Sequence, residues 1–244
     1  MMARSASFGR SLPTLFVVMT LALAGVPWFV VRYREAWEAA RDADCRGQLY
    51  QYGFALRNYY DAHGSFPLVV TVDDQGRPMF SWRAAAFQEW TGHPLNGVYR
   101  FDVPWDDPAN AAMSSYDTSG FFYWCPSGNG RQTKATDYVA VIGPHTAWPE
   151  GRGLRLDEIT DGPENTILVV EVDDSGILWM ESRDFSMEEI LDRGGSRRHA
   201  GWFNALFADG RVRKIRQDVD RQTLKALLTI DGGESVDPRS WEHP

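Results

Sequence analysis

Three polar residues stand at the ends of otherwise apolar runs: Glu171 closing ILVVE, His199 opening HAGWFNALFA, and Asp209 following it. An imidazole and two carboxylates could together hold a divalent cation, so the chemistry such a cluster would perform is metal-dependent hydrolysis. The spacing matches no defined zinc motif, because the chain has neither HExxH nor a paired CxxC. A plainer reading competes with it. His199 then makes a hydrogen bond at the base of a hairpin, and Asp209-Gly210 is the hairpin's type I′ turn, with positive φ at both positions. That plainer reading is preferred, so no catalytic residue, metal site or cofactor is expected, with the hydrolase as the alternative.

Other chemistries find less support. No G-x-S-x-G elbow occurs, and Ser127 and Ser175 sit in turn-like surroundings. GNGRQTK, at Gly128–Lys134, lacks the Walker spacing. The pairs Asp73-Asp74, Asp106-Asp107 and Asp173-Asp174 fit no EF-hand loop and read as solvated charges. Ten tryptophans leave a carbohydrate-binding module open as a further alternative, although Trp82, Trp105, Trp124 and Trp179 lie where a large ring fills a core.

Charge and hydropathy place these residues outside the cytoplasm. Residues 1–34 carry Arg4, Arg10, Arg32 and Arg34 and no acid, which leaves the rest of this 244-residue chain strongly acidic. An acidic body argues against nucleic acid as a partner. From Ser11 to Val31 there is no charge, and as a helix this stretch would extend roughly 32 Å, the thickness of a bilayer's hydrocarbon. A signal peptide cut after Ala24 is the rival reading, but the apolar run continues to Val31, which favours a retained anchor. Either way the body is exported. The expected organisation is a cytoplasmic N-terminus (1–10), a transmembrane helix (11–31), one exported domain (32–234) and a polar tail (235–244), single-pass in the inner membrane. Two cysteines in an exported chain, Cys45 and Cys125, are expected to be oxidised to each other.

The exported part opens on a helical pattern to about Ala62, with Cys45, Leu49, Tyr52, Gly53, Leu56 and Tyr60 on one face and Gly64 and Pro67 as stop signals. No breaker separates it from the apolar run, so the two are expected to form one rod. Further expectations are a helix over Trp82–Trp90 capped by Ser81, strands at Phe121–Cys125, Tyr138–Ile142, Thr166–Val172 and Ile177–Met180, and a capping box at Ser186–Glu189. A hairpin in WFNALFADGRVRKI and a final helix at Asp220–Leu228 complete the reading. The fold class is α+β, pilin-like: a long N-terminal helix packed on an antiparallel sheet with short accessory helices.

Several segments resemble a bacterial prepilin-like, or pseudopilin-like, family that carries a domain of unknown function. They are the stalk ending in HGSFP, SWR at Ser81–Arg83, PWDDP at Pro104–Pro108, CPS at Cys125–Ser127, DYVAVIGP at Asp137–Pro144, ITDGPENTILVVE at Ile159–Glu171 and ALLTIDGGE at Ala226–Glu234. The family's hairpin signature, His then nine residues then Asp-Gly, is matched by His199, Asp209 and Gly210. The N-terminus departs from the prepilin pattern, since Gly9 precedes Arg10-Ser11-Leu12-Pro13 and the apolar run holds no glutamate. The resemblance implies a fold and an address without a reaction: a non-catalytic, membrane-anchored envelope protein. Its partners would be the bilayer, through residues 11–31, and other pilin-like subunits or secretion-system components.

Overall fold

The computed structural model describes residues 12–91, 99–115, 123–128 and 133–243, with side chains from residue 26 onward except at 90, 91, 114 and 115. The expected N-terminus at 1–10 lies outside the described residues, as do the side chains of the expected span up to residue 25. Among the described residues no helix is long and apolar enough to cross a membrane.

Helix α1 runs Leu12–His63 and contributes to two compact units, Met1–Arg41 and Asp42–Pro244. In the first unit, side chains 26–40 are exposed, and Phe29, Tyr33 and Trp37, one turn apart, stack at 6.4 and 6.5 Å. In the second, the 3.6-residue period turns Cys45, Leu49, Tyr52, Ala55 and Leu56 into the core. The helix ends as its sequence indicates: Gly64 adopts φ +76° and its N–H returns to the Tyr60 carbonyl at 2.7 Å.

A small hairpin, β1 (Val70–Val72) and β2 (Pro78–Ser81), leads into α2 (Trp82–Thr91). Ser81, expected as the cap of α2, is the last residue of β2, and its hydroxyl turns to the Trp179 carbonyl at 3.5 Å. A short helix, α3 (Ala111–Ser115), precedes the main sheet.

That sheet has the order β5-β3-β4-β6-β7, from β3 (Tyr138–Ile142), β4 (Ile167–Glu171), β5 (Phe185–Ser186), β6 (Trp202–Phe207) and β7 (Val212–Arg216). It is mixed, which corrects the antiparallel expectation. Two-residue β5 joins the edge of β3 in parallel, and a strand that short leaves no alternating pattern to read. Thr166–Val172 contracts to β4. Residues 123–125 form no strand, and 121–122 lie outside the described residues. The segment Ile177–Met180 also forms none; it keeps a single bridge, Leu178 to Ala135, after a turn in which Asp174 takes φ +43°.

Alternation along the strands splits the core in two. Tyr138, Ala140, Val169 and Leu206 face the buried side of α1, whereas Val139, Val141, Val170, Phe203, Ala205 and Phe207 face the other layer. That second layer holds α4 (Met187–Arg193), α5 (Arg221–Leu228) and α6 (Pro238–Trp241). The capping box of α4 is present, with Ser186 Oγ accepting from the Glu189 N–H and the Glu189 carboxylate accepting from the Ser186 N–H. Residues 235–244, expected as a polar tail, instead include α6, whose buried Trp241 stacks on Phe207 at 5.4 Å.

Candidate functional site

One rung of the sheet gathers the polar residues. Register pairs Tyr138 with Glu171 and Asn204 with Lys214, and the pairing of Val170 with Ala205 sets Glu171 beside Asn204. With a two-residue side-chain period these four positions share one face, the face that meets α1. There the start of the packed part of α1 supplies Asp42 and Cys45. Tyr138 donates its hydroxyl to the Cys45 carbonyl at 3.2 Å, and Lys214 reaches Asp42 at 3.0 Å.

His199 enters from the loop between α4 and β6. Gln217 holds this loop, its side-chain amide donating to the carbonyls of Ser196, His199 and Trp202 at 3.0, 2.9 and 3.2 Å. Gly195 permits the path, because a Cβ there would collide with the Phe203 ring. The imidazole donates from Nε2 to Glu171 Oε1 at 3.1 Å, and its Nδ1 lies 3.9 Å from Asp42 Oδ1. Its ring lies parallel to Trp202 at 5.8 Å, while Trp202 donates its indole N–H to Asp42 at 3.1 Å. Asn204 completes the cluster by donating its backbone and amide N–H to Glu171 Oε2 at 3.1 and 2.8 Å. Asn204 Oδ1, fully buried, has no hydrogen-bond partner among the described residues.

The cluster is closed to solvent. His199 is 6% exposed and Glu171 and Asn204 are 0% exposed. Burial acts to raise the Asp42 carboxyl, but hydrogen bonds from Lys214 and Trp202, with the charges of Lys214 and His199, outweigh it and hold Asp42 below the ordinary carboxylate value.

Cys45 and Cys125 form a disulfide beside this cluster, with Cα atoms 4.9 Å apart. The bond joins α1 to the loop before β3, where the Cys125 N–H donates to Asp137 at 2.8 Å. Burial pushes the Asp137 carboxyl up to about 6 against the opposing charge and hydrogen bond of Arg198, which lies at 2.8 Å.

Asp209 does not join His199 and Glu171. It lies beyond the opposite end of six-residue β6, where it pairs with Arg213 at 2.7 Å, and that pairing, with the Arg211 N–H, keeps its carboxyl low despite burial. With Gly210 it borders a separate pocket of about 420 Å³ that also touches Leu56, Tyr60 and Leu168. The turn differs from type I′ as well. Only Gly210 takes positive φ, at +80°; its N–H bonds the Phe207 carbonyl at 2.9 Å, and the Phe207 N–H bonds Arg211 at 2.9 Å. This is the three-residue hairpin ending in a glycine bulge. Asp209 stays at negative φ because its side chain accepts the Arg211 N–H at 2.9 Å, a bond within reach without a left-handed backbone.

A second buried ion pair joins residues 101 apart, which no sequence pattern links. Arg83 pairs with Asp184, which also accepts from Trp82 Nε1 at 3.0 Å and the Ala140 N–H at 2.8 Å. Burial raises the Asp184 carboxyl to about 6, although Arg83 and these hydrogen bonds oppose it. The tryptophans are mostly interior: Trp82, Trp148, Trp179 and Trp241 are buried, and the exposed ones among the described residues, Trp28 and Trp37, belong to α1.

No match was found among curated proteins or among solved structures. A family model does match, over residues 34–189, which takes in the packed part of α1, both cysteines, Asp42 and Glu171 but stops short of His199, Asp209 and Gly210. The chain thus belongs to the family described as "Protein of unknown function (DUF1559)".

Proposed function

We propose that this chain is a non-catalytic, pseudopilin-like envelope protein, anchored in the inner membrane near its N-terminus and carrying its disulfide-closed domain outside the cytoplasm. The observation that carries this reading is the buried Cys45–Cys125 bond. Such bonds persist in oxidising compartments and are reduced in the cytosol. Two features agree with it. The uncharged stretch Ser11–Val31 has the length of a span, and exposed Trp28, Tyr33 and Trp37 are residue types that favour the interface between lipid and water. Other pilin-like subunits or secretion-system components are its natural partners.

A hydrolase has less in its favour. Its three residues would have to converge in an open cleft, whereas Asp209 lies with Arg213 and the His199–Glu171 pair is buried. Crosslinking in native membranes, read by mass spectrometry, tests the proposal. Crosslinks to pilin-like or secretion-system subunits support it, and recovery of the chain in the cytosol without such crosslinks refutes it.

A further inference from the structure

One ligand atom each from Cys45, Cys125, Glu171 and His199 lies within 4.8 Å of all the others, and all four residues are buried. While the disulfide is closed its sulfurs carry no thiolate, so the group binds no metal. Around a tetrahedral zinc, donors stand roughly 3.3–3.8 Å apart, so opening the sulfur pair and drawing the others slightly inward would complete a shell.

We propose that reduction of the Cys45–Cys125 bond converts this cluster into a four-ligand site for a zinc-class divalent cation, held by two thiolates, the Glu171 carboxylate and the His199 imidazole. This inference stands apart from the envelope reading. Thiolate, imidazole and carboxylate together suit zinc or cobalt rather than calcium or magnesium.

The surroundings are those of a metal centre. Asp42 faces His199 Nδ1 at 3.9 Å while Nε2 points to Glu171, the carboxylate–histidine–metal order that fixes tautomer and ring orientation. The Ser127 N–H donates to Cys125 Sγ at 3.4 Å, a bond that stabilises a thiolate. Asn204 holds Glu171 Oε2, leaving Oε1 for the cation once His199 releases it, and its orphaned Oδ1 is an acceptor adjoining the site.

The steps balance. A dithiol gives two electrons and two protons; the Cys45–Cys125 S–S bond breaks, two thiols form, and the dithiol closes to its own disulfide. Binding M²⁺ then releases the two thiol protons and displaces the proton on His199 Nε2, which leaves to solvent where Nδ1, facing Asp42, already carries one and otherwise passes to Nδ1.

The test uses the full chain in detergent micelles, reduced with dithiothreitol, freed of it by gel filtration under argon, and titrated with Co²⁺. One equivalent should produce thiolate-to-cobalt charge-transfer absorption with visible d–d bands, removed by Zn²⁺; the oxidised protein should produce neither. Asp42→Asn should weaken binding on the order of 10–100-fold, and His199→Ala and Glu171→Gln, which alter the ligands themselves, by at least as much. Absence of the bands after reduction, or bands of equal affinity in His199→Ala and Glu171→Gln, would overturn the proposal. Should reduction unfold the chain, recovery of its circular dichroism on adding Zn²⁺ supports the site, and failure to recover refutes it.

Discussion

Asn204 donates from its backbone nitrogen and from its side-chain amide to one oxygen of Glu171, at 3.1 and 2.8 Å, and its amide also reaches Asp42 Oδ1 at 3.4 Å. A carboxylate this deep is tolerated only when its lone pairs are met, and a strand neighbour meets them with no chain to rearrange. The polar rung therefore acts as a structural lock between α1 and the sheet.

Asn204→Ala removes the amide donor and leaves Glu171 under-satisfied. The expected cost is about 2–3 kcal/mol, seen as a lower urea midpoint with unchanged slope. Asn204→Asp, which sets two carboxylates together, should cost more.

Arg83→Met strips the fully buried Asp184 of its cationic partner, so the carboxyl must either stay unpaired or take up a proton, with an expected loss of about 3–5 kcal/mol near pH 7. The double variant Arg83→Met with Asp184→Leu should recover much of it, because an apolar pair of similar volume replaces the ions. Equal stability of single and double variants in a double-mutant cycle would contradict this role for the pair.

Asp137 and Asp184 carry folded pKa values near 6, above the 3.8 of an ordinary aspartate. The folded state therefore binds their protons more tightly than the unfolded chain does. Each group's contribution is fully present below pH 3.8 and is lost as pH rises through 6, on the order of 3 kcal/mol for a shift of this size. Asp137→Asn should remove one such dependence: the stability of wild type relative to the variant falls between pH 4 and 6.5. Carboxyl ¹³C resonances from both aspartates should titrate near 6.

Replacing both cysteines by serine opens a loop closed across a separation of 80 residues. The expected loss is roughly 4 kcal/mol in the chain-entropy description. Calorimetry of the double variant against the oxidised parent checks it.

Local features of this fold were legible because their causes are local. The capping box at Ser186, the stop at Gly64, strand β3 and the β6–β7 alternation each lie within a few residues of sequence. The site was legible only in part. Glu171 and His199 are visible as polar residues bordering apolar strands, but Asp209 borders the same kind of run and is carried away from them by the whole length of β6. Asp42 lies inside a run of charges, RDAD, that reads as a solvated helix face; its position three residues before Cys45 on the same face is the one local signal that marks it. The Arg83–Asp184 pair joins residues 101 apart, a separation that no local period records.

The central claim, a disulfide-closed domain held outside the cytoplasm by an N-terminal anchor, is tested most directly by the thiol state of the chain in its native cells. Cells quenched in acid and treated with a mass-tagged thiol reagent should yield a chain that sediments with carbonate-washed membranes and takes up no tag until reduced. A chain found in the soluble cytosolic fraction, with both cysteines tagged before reduction, would contradict the account.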